Sequence, residues 1–338
     1  MDDDLRDASR EGSSQQTVDA RYRRMLAGLP PALRLPAEQL PYRLGLVPAP
    51  EITWGSVFHH RITLEAPAVI FEGLLATPGL PTFTPVADAH LLAIVDAFAT
   101  DRVMDGQLRE GVELGELLEV LSRLREVRDR RLKEVDADAA SAFHEADDRA
   151  RDAMDRERHA LSGRIPVGFD AYEAISFAKQ APAFPACLAL ARALDPAGHL
   201  PRRVHAVLRA IVLGLQFYDD VLDWEDDRER GGAWAVCLAL HRLQASLEER
   251  ADVQSARLTR DIRPLVLSSG TLHAMLLFAG QQFRIAATLA GSLGAVELHA
   301  WAAERAGYIE ALAEKEKVSP GMAIRMHRLR HFRSEVIP

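Results

Sequence analysis

The sequence predicts an all-α fold, a single large helical bundle around a central apolar cavity. Apolar residues recur at helical spacing through most of the chain, almost no window alternates as a strand would, and no fixed-period repeat is evident. A chain of 338 residues, 48% hydrophobic and 27% charged, can bury a sizeable core and has ordinary globular composition. The net charge of −8 and a pI near 5.9 argue against nucleic acid as the main partner. Cys187 and Cys237 both lie in apolar helical contexts and suit a reducing cytoplasm better than a disulfide framework or a zinc site. No apolar run reaches transmembrane length, and the acidic start MDDDLRDASREGSSQQ fits neither a secretory signal nor a transit peptide. A cytoplasmic protein without an integral membrane segment is expected.

In chain order, residues 1–18 are polar and charged and predict a disordered tail. Residues 19–85 predict an N-terminal segment packed on or capping the bundle. It has a short helix over 20–27 stopped by Gly28, an extended stretch punctuated by Pro30, Pro31, Pro36, Pro41, Pro48 and Pro50, a helix over 54–75 broken near Pro67, and a loop over 77–85. Residues 86–338 form the expected main bundle. Its helices cover 86–108, one or two long amphipathic stretches within 112–162, 169–194 interrupted by Pro182 and Pro185, 202–227, 233–251, 265–289 and 296–317. Gly163–Gly168 and Asp195–Gly198 read as breaks. His144, Glu145, Asp147 and Asp148 sit in a uniformly charged run and read as a solvated face. The tail carries Arg325, Arg328, Arg330 and Arg333, either exposed or able to close over an anion.

The chain is organised around residues 210–232, AIVLGLQFYDDVLDWEDDRERGG. Asp219, Asp223 and Asp227 fall at i, i+4 and i+8, so a helix stacks three carboxylates along one face, flanked by Asp220 and Asp226. Acids lined up beside an apolar wall call for a compensating cation, and hard oxygen ligands suit Mg2+, which keeps waters or substrate phosphates as further ligands. A solvated charged face is the alternative. Asp101 and Asp105 form a second i, i+4 pair at a helix C-terminus, where acids oppose the helix dipole. They could hold a cation, or pair with Arg102 and Arg109. Lys179, in the apolar stretch AISFAKQAPAF, could meet a buried anion such as a diphosphate or snorkel to the surface.

Three motifs give the chain a resemblance to the class I isoprenoid synthases, which include terpene cyclases, polyprenyl synthases and squalene/phytoene synthases. Asp101-Arg102-Val103-Met104-Asp105 resembles the first aspartate-rich motif, with arginine at its second position. Tyr172 followed by Lys179-Gln180-Ala181 is similar to the tyrosine and KTA of polyprenyl synthases. Gln216 through Asp219-Asp220-Val221-Leu222-Asp223, continuing to Asp226-Asp227 and Arg230-Gly231, resembles the second acidic motif. The resemblance implies a bundle around an apolar cavity and a prenyl diphosphate held by three Mg2+ ions. The metal set would be Asp101, Asp105, Asp219, Asp220, Asp223 and Asp227, with Lys179, Gln216 and Arg230 on the substrate. Asp101, Asp105, Asp219 and Asp223 would be the catalytic acids, and a homodimer is expected from the same likeness. Phe71, Phe98, Phe217, Phe278 and Trp301 are candidate cavity liners.

Two departures bear on the reaction. The reduced first motif, and Gly232 where a basic residue commonly ends the second, favour ionisation of one substrate over condensation of two. The expected activity is therefore a terpene cyclase acting on farnesyl or geranylgeranyl diphosphate with release of pyrophosphate. A prenyltransferase, chain-elongating or head-to-head, and a catalytically silent isoprenoid-binding or regulatory helical protein are the alternatives.

Overall fold

Proline initiates helices at the start of this chain instead of extending it. A computed structural model describes residues 16–58, 61–74, 82–135, 139–162, 167–248, 262–322 and 324. Helix α1 covers residues 16–26 and ends in a turn at Gly28, whose N–H reaches the Met25 carbonyl. The stretch predicted as extended holds two helices, α2 (Pro31–Glu38) and α3 (Leu40–Arg43), each with proline in its first two positions. There the missing N–H is no loss and the fixed φ suits the first turn. The disordered tail expected over 1–18 lies mostly outside the described residues; 16–18 open α1.

A 3-10 turn at Trp54–Ser56 and α4 (Arg61–Ile70) replace the single broken helix predicted over 54–75. The backbone of Glu65 leaves helical geometry (φ −120°, ψ 24°), two residues before Pro67. Most of the loop predicted over 77–85 lies outside the described residues, and α5 (Phe83–Met104) begins before it ends. Then come α6 (Leu114–Lys133), α7 (Ala139–Leu161), α8 (Phe169–Lys179), a 3-10 turn at Ala181–Ala183, α9 (Pro185–Leu194), α10 (His199–Leu222), α11 (Trp224–Arg230), α12 (Trp234–Glu248), α13 (Arg263–Ser268), α14 (Thr271–Leu293) and α15 (Val296–Val318). Among the described residues no strand occurs, so the all-α prediction holds. The break over 163–168 and the basic tail fall largely outside these residues.

The chain divides into two compact units. The first comprises 1–150, 180–205 and 293–298; the second comprises 151–179, 206–292 and 299–338. The first unit is built on α5, which packs against α4, α6 and α9 and is buried continuously from Val86 to Asp96. Where the sequence showed no run of transmembrane length, α5 is the one described helix long and apolar enough to cross a membrane. However, 72% of that stretch is buried inside the protein, where it serves as a core helix.

The buried acids of α5 are matched by arginines. Asp88 receives Arg24 at 2.9 Å, with Arg131 at 3.6 Å and Arg21 at 3.7 Å. Asp96 accepts from Arg125 Nε at 2.8 Å. Arg128, wholly buried, donates to both oxygens of Asp147 and lies over the Phe143 ring at 4.5 Å. The solvated face predicted around His144–Asp148 is thus corrected at Asp147, which is buried because Arg128 holds it. His144 pairs with Asp129 at 2.9 Å. Burying a charge is costly unless it is paired, and this unit pairs its interior charges across helices.

His90, also on α5 and fully buried, donates from Nε2 to the Thr63 carbonyl at 2.9 Å. Burial lowers its pKa to about 4, the Thr63 carbonyl works against that, and Arg21 adds to it. The folded state therefore keeps this ring neutral at pH values where the unfolded chain protonates it. Stability is fully present above pH 6.5 and falls as the pH drops from there towards 4, by about 3 kcal/mol in total from this group. Urea midpoints between pH 7 and 5 should show this loss in the wild type, and the His90→Gln variant should lack that component.

Candidate functional site

The second unit carries the acidic stretch, and its helix breaks where the metal-like acids are densest. The sequence predicts one helix through Asp227, but α10 stops at Leu222 and α11 starts at Trp224, with Asp223 between them at φ −100° and ψ 5°. The backbone bridges the break without losing register. Asp223 N–H reaches the Asp219 carbonyl at 2.9 Å, and Asp227 N–H reaches that of Asp223 at 2.8 Å. The i, i+4, i+8 relation therefore survives, and the three acids act on one another as a ridge.

The electrostatics confirm the crowding. Asp219 reaches solvent on its open side while protein packs it on the others. That desolvation, followed by the like charges of Asp223 and Asp227, pushes its carboxyl up to about 7, against the pull of Lys179 and Arg230. Asp227, half-buried, is pushed up to about 6 by desolvation and then by Asp223, with Arg230 and Lys179 opposing. Arg230 donates to Asp227 Oδ1 at 3.3 Å, one turn along α11.

Asp220 faces a different environment. It is buried, its Oδ2 accepts the Tyr172 hydroxyl, and its Oδ1 accepts the Gln216 amide at 3.0 Å. Desolvation, then the nearby charges of Glu157 and Asp219, hold its pKa well above the carboxylate range. Gln216 and Asp220, assigned by resemblance to substrate and metal, are here hydrogen-bonded to each other, and Tyr172 anchors the pair to the core. Tyr172 is itself the hub of an aromatic cluster. Its ring lies 4.2 Å from Phe217 and 4.6 Å from Trp234, Phe217 lies 4.3 Å from Phe278, and Phe169 lies 5.3 Å from both Phe217 and Phe278. Of the candidate liners, Phe217 and Phe278 belong to this cluster. Trp301 packs on Phe283 at 5.5 Å, and in the first unit Phe71 is fully buried and Phe98 meets Phe58 at 4.7 Å.

Lys179 ends α8 and is only 15% exposed along its side chain. It donates to Glu157 Oε2 at 2.7 Å, while Glu157 Oε1 accepts the Trp234 indole N–H at 2.9 Å. In the sequence, Glu157 is hidden by the densely charged run around it. The signal was present in the spacing. Phe143, Ala146, Ala150, Ala153 and Ala160 form a buried stripe on α7 at alternating steps of three and four, and Glu157 occupies the place in it between Ala153 and Ala160. An acid in an apolar stripe has a partner.

Gly232 also finds its explanation. A Cβ there would lie 2.7 Å from the Leu161 Cβ and 2.9 Å from the Leu161 carbonyl oxygen, so the end of α7 leaves no room for the basic side chain expected at this point.

Asp101 and Asp105 belong to the first unit, at the end of α5. Asp101 is half-buried, and Asp105 is exposed and caps the helix through its N–H to the Asp101 carbonyl at 2.9 Å. Neighbouring arginines clamp the N-terminal segment. Arg102 donates to the carbonyls of Leu44 and Gly45 and to Gln107, while Arg109 donates to those of Tyr42 and Val47 and stacks on the Tyr42 ring at 4.0 Å.

Among the described residues, no group of three or more His, Cys, Asp or Glu side chains stands placed to hold a metal ion, the Asp219–Asp227 ridge included. The two cysteines are free. The chain matches no protein-family model and no curated protein.

Desolvation, and after it mutual repulsion along the ridge, costs stability when the acids are ionised. Asp219→Asn should therefore raise the urea midpoint at pH 8, with the gain shrinking as the pH falls below about 7 and the wild-type carboxyl takes up its proton.

Proposed function

We propose that this protein is a Mg2+-dependent class I terpene cyclase that ionises a prenyl diphosphate and releases pyrophosphate. The observation that carries the proposal is the ridge itself. Asp219, Asp223 and Asp227 are held in register by backbone hydrogen bonds, repel one another, and lie on the segment that Asp220 anchors to an aromatic cluster. The donor chemistry suits the metal, although the three side chains do not converge on one point as they stand. Its oxygens are hard, their charges are incompletely offset by Lys179 and Arg230, and an open ridge leaves coordination positions for water and phosphate, as Mg2+ prefers. Asp219, Asp223 and Asp227 would hold it. When bound, the cation would supply charge stabilisation to the departing diphosphate.

The chain's own residues do the rest. Arg230 and Lys179 are the cations available to orient phosphate oxygens, Arg230 by its planar fork and Lys179 as a point charge. The half-buried rings of Phe169 and Phe278, backed by the buried rings of Phe217, Tyr172 and Trp234, would offer π faces to a carbocation and help exclude water from it. Tyr172 and Gln216 fix Asp220, which keeps the ridge seated on those rings.

Incubation with farnesyl or geranylgeranyl diphosphate and Mg2+, with and without isopentenyl diphosphate, tests the proposal by mass spectrometry of the products. A hydrocarbon or alcohol from the lone substrate supports it. A requirement for isopentenyl diphosphate, or a product with twice the substrate's carbons, replaces it with a prenyltransferase. No metal-dependent pyrophosphate release leaves a binding protein.

Asp223→Ala should be compared with the wild type by far-UV circular dichroism as its folding control. It should lose activity by on the order of a hundredfold or more. The same assay on Asp101→Ala decides whether the reduced first motif takes part in turnover.

A further inference from the structure

Asp88 needs one guanidinium and has three. Its carboxylate on α5 is only 1% exposed, and Arg24 of α1 already reaches both of its oxygens, at 2.9 and 3.3 Å. Arg131 of α6 and Arg21 of α1 bring two further positive charges to 3.6 and 3.7 Å, beyond hydrogen-bonding distance. Among the described residues the Arg21 side chain makes no hydrogen bond, and that of Arg131 makes one, to the exposed Glu134 at 3.5 Å. A solvated pair of that kind contributes little. Glu65 of α4, the other acid whose charge reaches Arg21, pairs with Arg61 at 2.9 Å. Burial, and after it the charge of Arg24, draws the Arg21 pKa below its ordinary value against the pull of Asp88 and Glu65. Like charges are therefore gathered where one would suffice, and the spot is open to water. The side chains of Arg24 and Arg131 are 54% and 35% exposed, and that of Arg21, 15% exposed, stands behind them.

We infer that Arg21, Arg24 and Arg131 form an anion site for a phosphate group, with buried Asp88 as the fixed counter-charge that gathers the three guanidiniums. Each guanidinium carries five N–H donors in a planar fork that matches phosphate oxygens, and one carboxylate occupies only a few of them. A phosphate group supplies the acceptors and the negative charge that Asp88 alone does not. All four residues belong to the first unit, and none is shared with the ridge. The inference therefore stands whether or not the ridge holds a cation.

The test is calorimetric titration of the full chain with inorganic phosphate, in EDTA and at constant ionic strength. The wild type should bind phosphate, and Arg21→Gln and Arg131→Gln should each weaken binding about tenfold, the worth of one charge-assisted hydrogen bond. Arg24 stays in place in both variants, so Asp88 keeps its hydrogen-bonded partner, and circular dichroism checks the fold. Arg123→Gln removes the same charge elsewhere on α6, where Arg123 pairs with Glu126 at 3.1 Å, and should bind like the wild type. Glycerol 3-phosphate as competitor identifies the source of the group. Displacement of phosphate assigns the site to phosphate monoesters, and no displacement assigns it to the free ion; the site stands in either case. No phosphate binding by the wild type would overturn the inference. So would unchanged affinity in both Arg21→Gln and Arg131→Gln, or an equal loss in Arg123→Gln, which would mark a general effect of net charge.

Discussion

Three carboxylates that cannot move apart are the constraint from which the second unit's architecture follows. Backbone hydrogen bonds from Asp223 to Asp219 and from Asp227 to Asp223 carry the ridge across a helix break. The acids stay in register although the backbone of Asp223 departs from regular helix. Desolvation first, and their repulsion second, raise the pKa values of Asp219 and Asp227, and a chain gains nothing in stability from such crowding. Around the ridge, the polar interior is arranged to keep it in place. Asp220 is tied inward by Tyr172 and Gln216, Lys179 pairs with Glu157, and Glu157 also accepts the Trp234 indole N–H. An arrangement that preserves repulsion at one face while tying Asp220 and Glu157 to fixed donors suits a site completed by something from outside the chain.

The first unit handles charge in the opposite way. Its interior acids Asp88, Asp96 and Asp147 are each met by guanidinium groups, several from other helices, and Arg128 is wholly enclosed. Such pairs are costly to break, and they leave Asp96 Oδ1 as the one oxygen of these three acids that is buried without a hydrogen-bond partner. The contrast between the two units rests on stoichiometry: arginines match or outnumber carboxylates in one cluster, and carboxylates outnumber cations in the other.

Much of this was legible in the chain itself. Apolar periodicity over 86–108 marked α5, and proline and glycine punctuation marked the breaks at Pro182 and Pro185 and around Asp195–Gly198. The i, i+4, i+8 spacing of Asp219, Asp223 and Asp227 predicted the ridge. The helical start at Pro31 and Pro41 was misjudged because proline breaks a helix interior but suits its first turn. Charge density concealed two tertiary pairings. Asp147 sits in a polar run but on the side that meets Arg128, and Glu157 continues an alanine stripe that only a face-by-face count reveals. The break at Asp223 leaves no local mark in the sequence, since hydrogen bonds on either side of it keep the helical period. Gly232 departs from the expected basic residue because Leu161 fills the space, which no local pattern reports.

Crystals soaked with Mn2+ and pyrophosphate, with anomalous scattering recorded at the manganese edge, test the central claim most directly. The account predicts an anomalous peak coordinated by the Asp223 carboxylate, with pyrophosphate oxygen on the same ion. Manganese bound only elsewhere on the chain, with the Asp219–Asp227 ridge open to solvent in the lattice, would contradict it.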